Sequence, residues 1–386
     1  MWKGLKNMAL VLNDEQQLLQ DTVREFVREK MPVKHLRALR DSNDPVGFSR
    51  DLWREMAELG WAGIPFPEEY GGSGLGYAEL GIVLEECGRT LAPEPFLSTV
   101  VLGGEAILRA GREEQRKEIL GAICQGRMIL ALAAQETPRF DPYKVETRAT
   151  PANGRFKLRG EKRFVLDGHI ADQLIIAART AGEPGDRDGI TLFLLPANTP
   201  GLTIQRTIMV DSRNAANVVL ADVDASHEQV LGQLNRGADI LDAVYDRGAV
   251  ALSAQLLGVL TEAFDRTIAY LKTRVQFDVP IGSFQALKHR AAQMFCEVEL
   301  SKSIVLDALR AVDEKRDDLS KVASAAKART SDTAGLVTRE AIQMHGGIGM
   351  TDEEEIGFFL KRGRAAELTL GDGTYHRDRF ARLNGY

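Results

Sequence analysis

The chain has 386 residues, 44% of them hydrophobic and 27% charged, which allows two or three domains with well-filled cores and excludes wholesale disorder. A formal net charge of −6 excludes the broad basic face of a nucleic-acid binder, although a few local arginines can still hold an anionic ligand. Cys87, Cys124 and Cys296 form no C-x-x-C pair and the six histidines have no paired spacing, which argues against a disulfide framework and a zinc site and suits a reducing compartment.

Residues from about Asn13 to Gly126 read as helices. In LNDEQQLLQDTVREFVREKM, Leu18, Leu19, Val23, Phe26 and Val27 share one face at helical spacing, with Asn13 or Asp14 as N-cap. SRDLWREMAELGWAGI repeats the pattern and stops at Gly60, a C-cap glycine. YAELGIVLEECGRTL and GREEQRKEILGAICQG are two further helices. The glycine-rich GGSGLG, Gly71 to Gly76, follows no strand and precedes no Lys-Ser/Thr, so it reads as a helix–helix connector and not a phosphate loop. The early apolar run MALVL is too short for a signal-peptide core, and no stretch approaches a membrane span, so a cytoplasmic protein is expected.

Near Met128 the texture changes. MILALAAQ, RFKLRGE, KRFVL, QLIIAART, GITLFLLPA, LTIQRTIM and NVVLADV are short β-rich runs, and Asn153-Gly154 is a hairpin signal. Strands that follow one another without helices predict an antiparallel sandwich or barrel. From about Leu234 long Ala-rich amphipathic patterns return, the texture of an antiparallel bundle. The expected division is a helical domain over 1–127, a β-barrel or sandwich over 128–233 and a helical bundle over 234–386.

Within that order, GWAGIPFPEEYGGSGLGYAELGIVLEECGR, GEKRFVLDGHIADQLIIAART, RVQFDVPIGSFQALKHRAAQM and QMHGGIGMT resemble the acyl-CoA dehydrogenase family, from about Leu12 to Phe380. The resemblance implies an α+β fold: an N-terminal helical domain, a middle antiparallel β domain and a C-terminal four-helix bundle. It implies FAD between the β domain and the bundle, and removal of an α-proton and a β-hydride from an acyl-CoA thioester to leave a trans-2-enoyl-CoA. An electron-transfer flavoprotein is the implied acceptor. A homotetramer or heterotetramer is implied too, because a neighbouring subunit touches each flavin.

Each motif also has a plain structural reading. Arg274, Phe277 and Gln285 in RVQFDVPIGSFQ could be a solvated arginine and a helix-entry loop. The resemblance instead gives Arg274 the FAD pyrophosphate, which suits a guanidinium fork, with Phe277 packed on the nucleotide and Gln285 bonded to it. Gly346 and Gly347 could be a helix C-cap; with Gln343 they match the segment that approaches the adenosine side of FAD. In the β domain the family's flavin-contacting residues are replaced: Gln135 stands for a threonine, a glycine-serine element is unmatched, and Phe164-Val165-Leu166 stands for Trp-x-Thr. Phe164 can stack on the flavin, but Leu166 has no hydroxyl for flavin N5. Residues that serve a neighbour's flavin are intact, whereas those for the chain's own flavin are eroded.

The family's base is a Glu in Glu-Gly-Thr. Anchoring on Gly373 and Thr374 puts Asp372 in its place; anchoring on Arg362 puts Gly371 there. A carboxylate desolvated by substrate and flavin becomes a usable base, but Asp is one methylene, roughly 1.5 Å, shorter than Glu, and misplacement by about 1 Å is costly. His376 follows on the same segment and could be a base, though a solvent-facing histidine is the expectation. Asp246, before the substrate or structural arginine Arg247, occupies the place where isovaleryl-CoA dehydrogenase-like members carry their base; otherwise it is an Asp favoured by a helix N-terminus. Three functions stay open: an FAD-dependent acyl-CoA dehydrogenase, a nitroalkane-oxidase-like flavin oxidase with an Asp base, and a non-catalytic or half-site partner subunit of a heteromeric dehydrogenase.

Overall fold

The computed structural model describes residues 11–386; residues 8–10 of the MALVL run lie outside them. A capping box starts α1 (Asp14–Lys30): Asn13 Oδ1 accepts from the Gln16 N–H at 2.8 Å, and the Asn13 N–H donates to Gln16 Oε1 at 3.1 Å. Val23, Phe26 and Val27 are buried, whereas Leu18 falls off the buried stripe and is exposed. After α2 (Val33–Asp41) and α3 (Arg50–Glu58), Gly60 takes φ +81, the left-handed turn that ends a helix. The GGSGLG connector leads into α4 (Tyr77–Thr90). FLSTVVLGG then forms a π-helical stretch, Phe96–Gly104, buried along its whole length, which runs into α5 (Glu105–Ala110). Buried on every face, with Ser98 and Thr99 among its apolar residues, the segment shows no alternation of core and solvent positions at helical period to mark it in the sequence. Short α6 (Glu113–Gln115) and α7 (Gly121–Cys124) flank a second π turn.

The middle domain is one sheet of β1 (Leu130–Ala133), β2 (Arg148–Ala152), β3 (Arg155–Leu166), β4 (Gln173–Arg179), β5 (Ile190–Pro196), β6 (Leu202–Ile208), β7 (Asn214–Ala225) and β8 (Val230–Leu231). Its order is β6-β7-β3-β2-β4-β5-β8, with β1 beside β4. Asn153 and Gly154, at φ +50 and +71, make the two-residue turn from β2 to β3. Pairing is antiparallel except that β1 and β2 run parallel to β4. β1 enters from the helical domain, so no hairpin sets its direction.

The C-terminal part is a bundle of α8 (Gly237–Thr273), α9 (Gln285–Asp313), α10 (Leu319–His345) and α11 (Ile356–Leu368), with α12 (Gly373–Leu383) appended. Where α8 crosses α4, a Cβ on Gly258 would lie 1.9 Å from the Glu85 carbonyl oxygen, and one on Gly88 would lie 2.2 Å from that of Gln255. Only glycine lets the two backbones meet so closely, and this contact docks the helical domain on the bundle. The β domain is tied in by Arg362 of α11. Its buried guanidinium pairs with Asp211 at 2.6 Å and donates to the carbonyls of Leu91 at 3.2 Å and Ala92 at 3.5 Å. Burial draws its pKa down to about 10, against the pull of Asp211.

Candidate active site

One group of the expected cofactor residues gathers at an end of the bundle. Between α8 and α9, β9 (Val275–Gln276) and β10 (Val279–Pro280) form a hairpin whose turn residues, Phe277 and Asp278, have φ +54 and +62. This turn throws the Phe277 ring outward, 86% exposed. Arg274 at the C-cap of α8 and Gln285 at the start of α9 are exposed on either side of it. Arg290 pairs with Glu340 at 2.5 Å, which brings the start of α9 to the end of α10. Tyr270 stacks on His345 at 4.4 Å between centroids, which brings the end of α8 there too. Gln343, Gly346 and Gly347 are therefore neighbours of the hairpin. No side-chain partner within the chain engages the Arg274 guanidinium or either amide among the described residues. Gly346 needs glycine for its φ of +66, but a Cβ on Gly346 or Gly347 would meet nothing within 4 Å. Any demand for bare backbone at Gly347 comes from outside the chain.

Gln135, Phe164 and Leu166 meet elsewhere, around a cavity of about 340 Å³ between the β domain, the Phe96–Gly104 helix, α8 and α11. Carbon dominates its wall: Leu102, Leu132, Ala134, Leu166 and Leu370. Phe164 (φ +52, 44% exposed), Ile208, Val210 and Leu368 form an exposed apolar mouth. Phe140 closes the inner end, edge-on to Tyr245 at 5.1 Å and to Tyr375 at 5.2 Å. Three polar side chains of the wall are already engaged. Ser98 Oγ donates to Asp167 at 2.6 Å, Gln135 Nε2 to the Thr137 carbonyl at 2.9 Å and Thr369 Oγ1 to that of Ala365 at 2.9 Å. Arg163 is the single charged residue of the lining.

Neither candidate carboxylate lines that cavity. Asp372 is the N-cap of α12, its Oδ1 accepting from the Tyr375 N–H at 2.8 Å. An Asp ahead of Gly-Thr-Tyr-His is a helix-start signature, so this placement has a signal in the sequence. Thr374 is exposed in the first turn of α12. The turn before it, with Leu370 and Gly371 at φ +59 and +99, is clamped by Lys327 of α10. The buried ammonium donates to the carbonyls of Glu367 and Gly371, both at 2.9 Å, and to Ser331 Oγ at 3.2 Å. Burial pulls its pKa down to about 7, although Glu367 and Asp372 favour the charge.

His376 is buried and does not face solvent. Burial and the nearby Lys327 hold its pKa down to about 3, so the ring is neutral and Nε2 donates to the Leu370 carbonyl at 2.9 Å. What covers it is α10, which no local pattern reveals. Asp246 lies well past the first turn of α8, beyond the reach of the N-terminal dipole. It is buried, paired with Arg379 at 2.6 Å and accepting from Ser320 Oγ at 2.5 Å. Arg247 turns to Glu105 at 2.8 Å.

The sequence patterns of the acyl-CoA dehydrogenase N-terminal, middle and C-terminal domains match residues 13–127, 130–223 and 235–383. This chain belongs to the acyl-CoA dehydrogenase family. It is 30% identical to the probable acyl-CoA dehydrogenase YngJ of Bacillus subtilis, over 95% of this chain and 96% of that protein. It is 31% identical to acyl-CoA dehydrogenase IpdE2 of Mycolicibacterium smegmatis, over 93% and 96%. A chain of the ChsE4-ChsE5 complex from Mycobacterium tuberculosis superposes with a TM-score of 0.88 at 26% identity, covering 98% of this chain and 100% of that one.

The family's members are FAD-dependent oxidoreductases, and FAD is the cofactor to be placed. The bundle end fits part of it: an unpaired guanidinium, two unengaged amides and open backbone at Gly347 are what a pyrophosphate-bearing nucleotide needs. The cavity fits flavin less well, since the Leu166 side chain contributes no hydrogen bond and one N–H of Gln135 is bonded to the Thr137 carbonyl. Among the described residues, no cluster of His, Cys, Asp or Glu could hold a metal and no helix is long and apolar enough to cross a membrane.

Proposed function

We propose that this chain serves the α,β-dehydrogenation of an acyl-CoA thioester as one subunit of a heteromeric acyl-CoA dehydrogenase, completing the flavin site of a homologous partner. The observation behind this reading is that no carboxylate lines the chain's cavity. Taking the α-proton requires a base within about 3 Å of it. Toward the α11–α12 turn the cavity wall presents Leu370, while Asp372 is engaged in capping α12 and Asp246 in pairing with Arg379. The partner would carry the base.

FAD, when bound, supplies the hydride acceptor. This chain's part is to bind and orient it. Arg274 would meet the pyrophosphate with paired N–H donors, Gln285 and Gln343 would hydrogen-bond beside it, and the bare backbone at Gly347 would admit a close approach. Similarity to a relative solved as the ChsE4-ChsE5 complex supports a two-chain assembly. Electrons would leave to an electron-transfer flavoprotein, the acceptor that the family resemblance implies.

Deuterium exchange at the α-carbon of a saturated acyl-CoA, read by mass spectrometry, tests the reading, and the chain alone should give none. Asp372 lies two residues beyond cavity-lining Leu370, which favours a second reading, a self-sufficient dehydrogenase. Exchange by the isolated chain that Asp372→Asn abolishes would establish it; loss in Asp246→Asn would move the base to Asp246.

A further inference from the structure

We infer that Asp352 is a positioning residue for the cofactor-facing turn of the bundle end, clamped there by Arg37 and Arg40 of the helical domain. The inference rests on the reading of that end as a cofactor surface.

The turn that bares Gly347 has little of its own to hold it. Gly346–Met350 is a short 3-10 helix after α10. Ile348 and Met350 are 42% and 80% exposed, so apolar burial does not fix it. Its near end is set by Gly349, where a Cβ would lie 2.8 Å from the Ile342 carbonyl oxygen of α10. Its far end is set by charge. Arg37 Nη1 donates to Asp352 Oδ2 at 2.7 Å, and Arg40 donates through Nη1 to Oδ1 at 2.6 Å and through Nη2 to Oδ2 at 2.7 Å. Three residues later Arg266 of α8 reaches Glu355 at 2.8 Å.

An exposed ion pair ordinarily contributes little, because two long side chains must be ordered to make it. Here much of that ordering is already done. Arg37 and Arg40 are three residues apart on α2 and share one face. Both guanidinia lie over the ring of buried Phe358, at 4.8 and 4.9 Å, which holds them in place for the carboxylate. Arg40 also spends Nε on Asp41 at 2.8 Å, which aims both terminal nitrogens at Asp352 as a two-pronged fork. The arginines hold the Asp352 carboxyl down, at a pKa of about 2, so the clamp is charged throughout the neutral range. The helical domain thereby grips the segment of the bundle end whose backbone is bare. Asp352 acts through that turn and need not touch the cofactor.

Asp352→Asn keeps the shape and removes the charge at an exposed position, so the fold should survive. Two readouts test the role on the assembly that the chain forms: amide hydrogen exchange over 346–355 without FAD, and the FAD dissociation constant from titration of the deflavinated protein. Asp352→Asn should speed that exchange about tenfold and raise the dissociation constant by a similar factor, the loss of one charge-assisted contact. Asp352→Glu should restore most of both. In the unaltered protein the exchange should also quicken with salt, which screens exposed charges, and Asp352→Asn should lose that dependence. Unchanged exchange in Asp352→Asn would overturn the clamp. Faster exchange with FAD bound as tightly as before would overturn the positioning role, as would failure of Asp352→Glu to restore it. The two readings fail separately: FAD weakened in Arg274→Ala but not in Asp352→Asn removes this inference alone, whereas FAD unchanged in Arg274→Ala removes the cofactor reading on which it rests.

Discussion

The end of the bundle and the cavity beneath the β domain are built on opposite plans. At the bundle end, Arg274, Gln285, Gln343 and Gly347 point polar groups outward with nothing in the chain to receive them. In the cavity Ser98, Gln135 and Thr369 hydrogen-bond within the chain and much of the surface left for a ligand is carbon, with one guanidinium at the rim. Exposed groups without a partner in the chain are free to meet a ligand, whereas groups already bonded within the chain are less available for one. On the proposed reading, the contrast separates a surface that would complete another chain's cofactor site from a pocket that would not itself do the family's chemistry.

Substitutions at four positions would break or sharpen this contrast. The largest effect is expected at Asp246. Asp246→Asn strands the mostly buried Arg379 and should cost on the order of 3 kcal/mol in denaturant unfolding; a loss below about 1 kcal/mol would mean the carboxylate is not structural. At the bundle end, Arg274→Ala should weaken FAD retention by the assembly about ten- to a hundredfold, the worth of a charge-assisted contact. Unchanged flavin after gel filtration would erase half of the comparison.

Lys327, which clamps the turn behind the cavity, predicts a pH effect. Its pKa is about 7 in the fold against 10.5 for the free side chain, so between those values the unfolded chain holds the proton that the fold releases. Stability should therefore rise from pH 7 toward 10.5. The rise should be smaller in Lys327→Met, measured as Tm against pH, and identical slopes would place the titration elsewhere. The smallest effect belongs to Asp372→Asn. Asn caps helices nearly as well as Asp, so stability should change by less than about 1 kcal/mol and turnover of the assembly not at all.

The three-part architecture was legible because two periods, near 3.6 and 2, divide the chain cleanly. The glycines after Gln343 were legible as a local turn, whereas the segment around Phe277 reads only as a helix-entry loop and its hairpin appears in the structure alone. The carboxylates were harder to read. Asp246 takes its meaning from Ser320 and Arg379, on α10 and α12. His376 takes its burial from the side where Lys327 sits, and the cavity's lack of a carboxylate is a statement about many segments at once. Asp372 was the exception, since its cap could be read from the residues that follow it. The Phe96–Gly104 helix stayed hidden because a run buried on every side shows no core-to-solvent period.

The most direct measurement is the visible spectrum and released-flavin stoichiometry of this chain expressed alone. The account predicts a nearly colourless protein carrying far less than one FAD per chain, whose flavin appears only together with a homologous partner. About one FAD per isolated chain, bleached by an acyl-CoA without oxygen, would contradict it and make the cavity a complete active site.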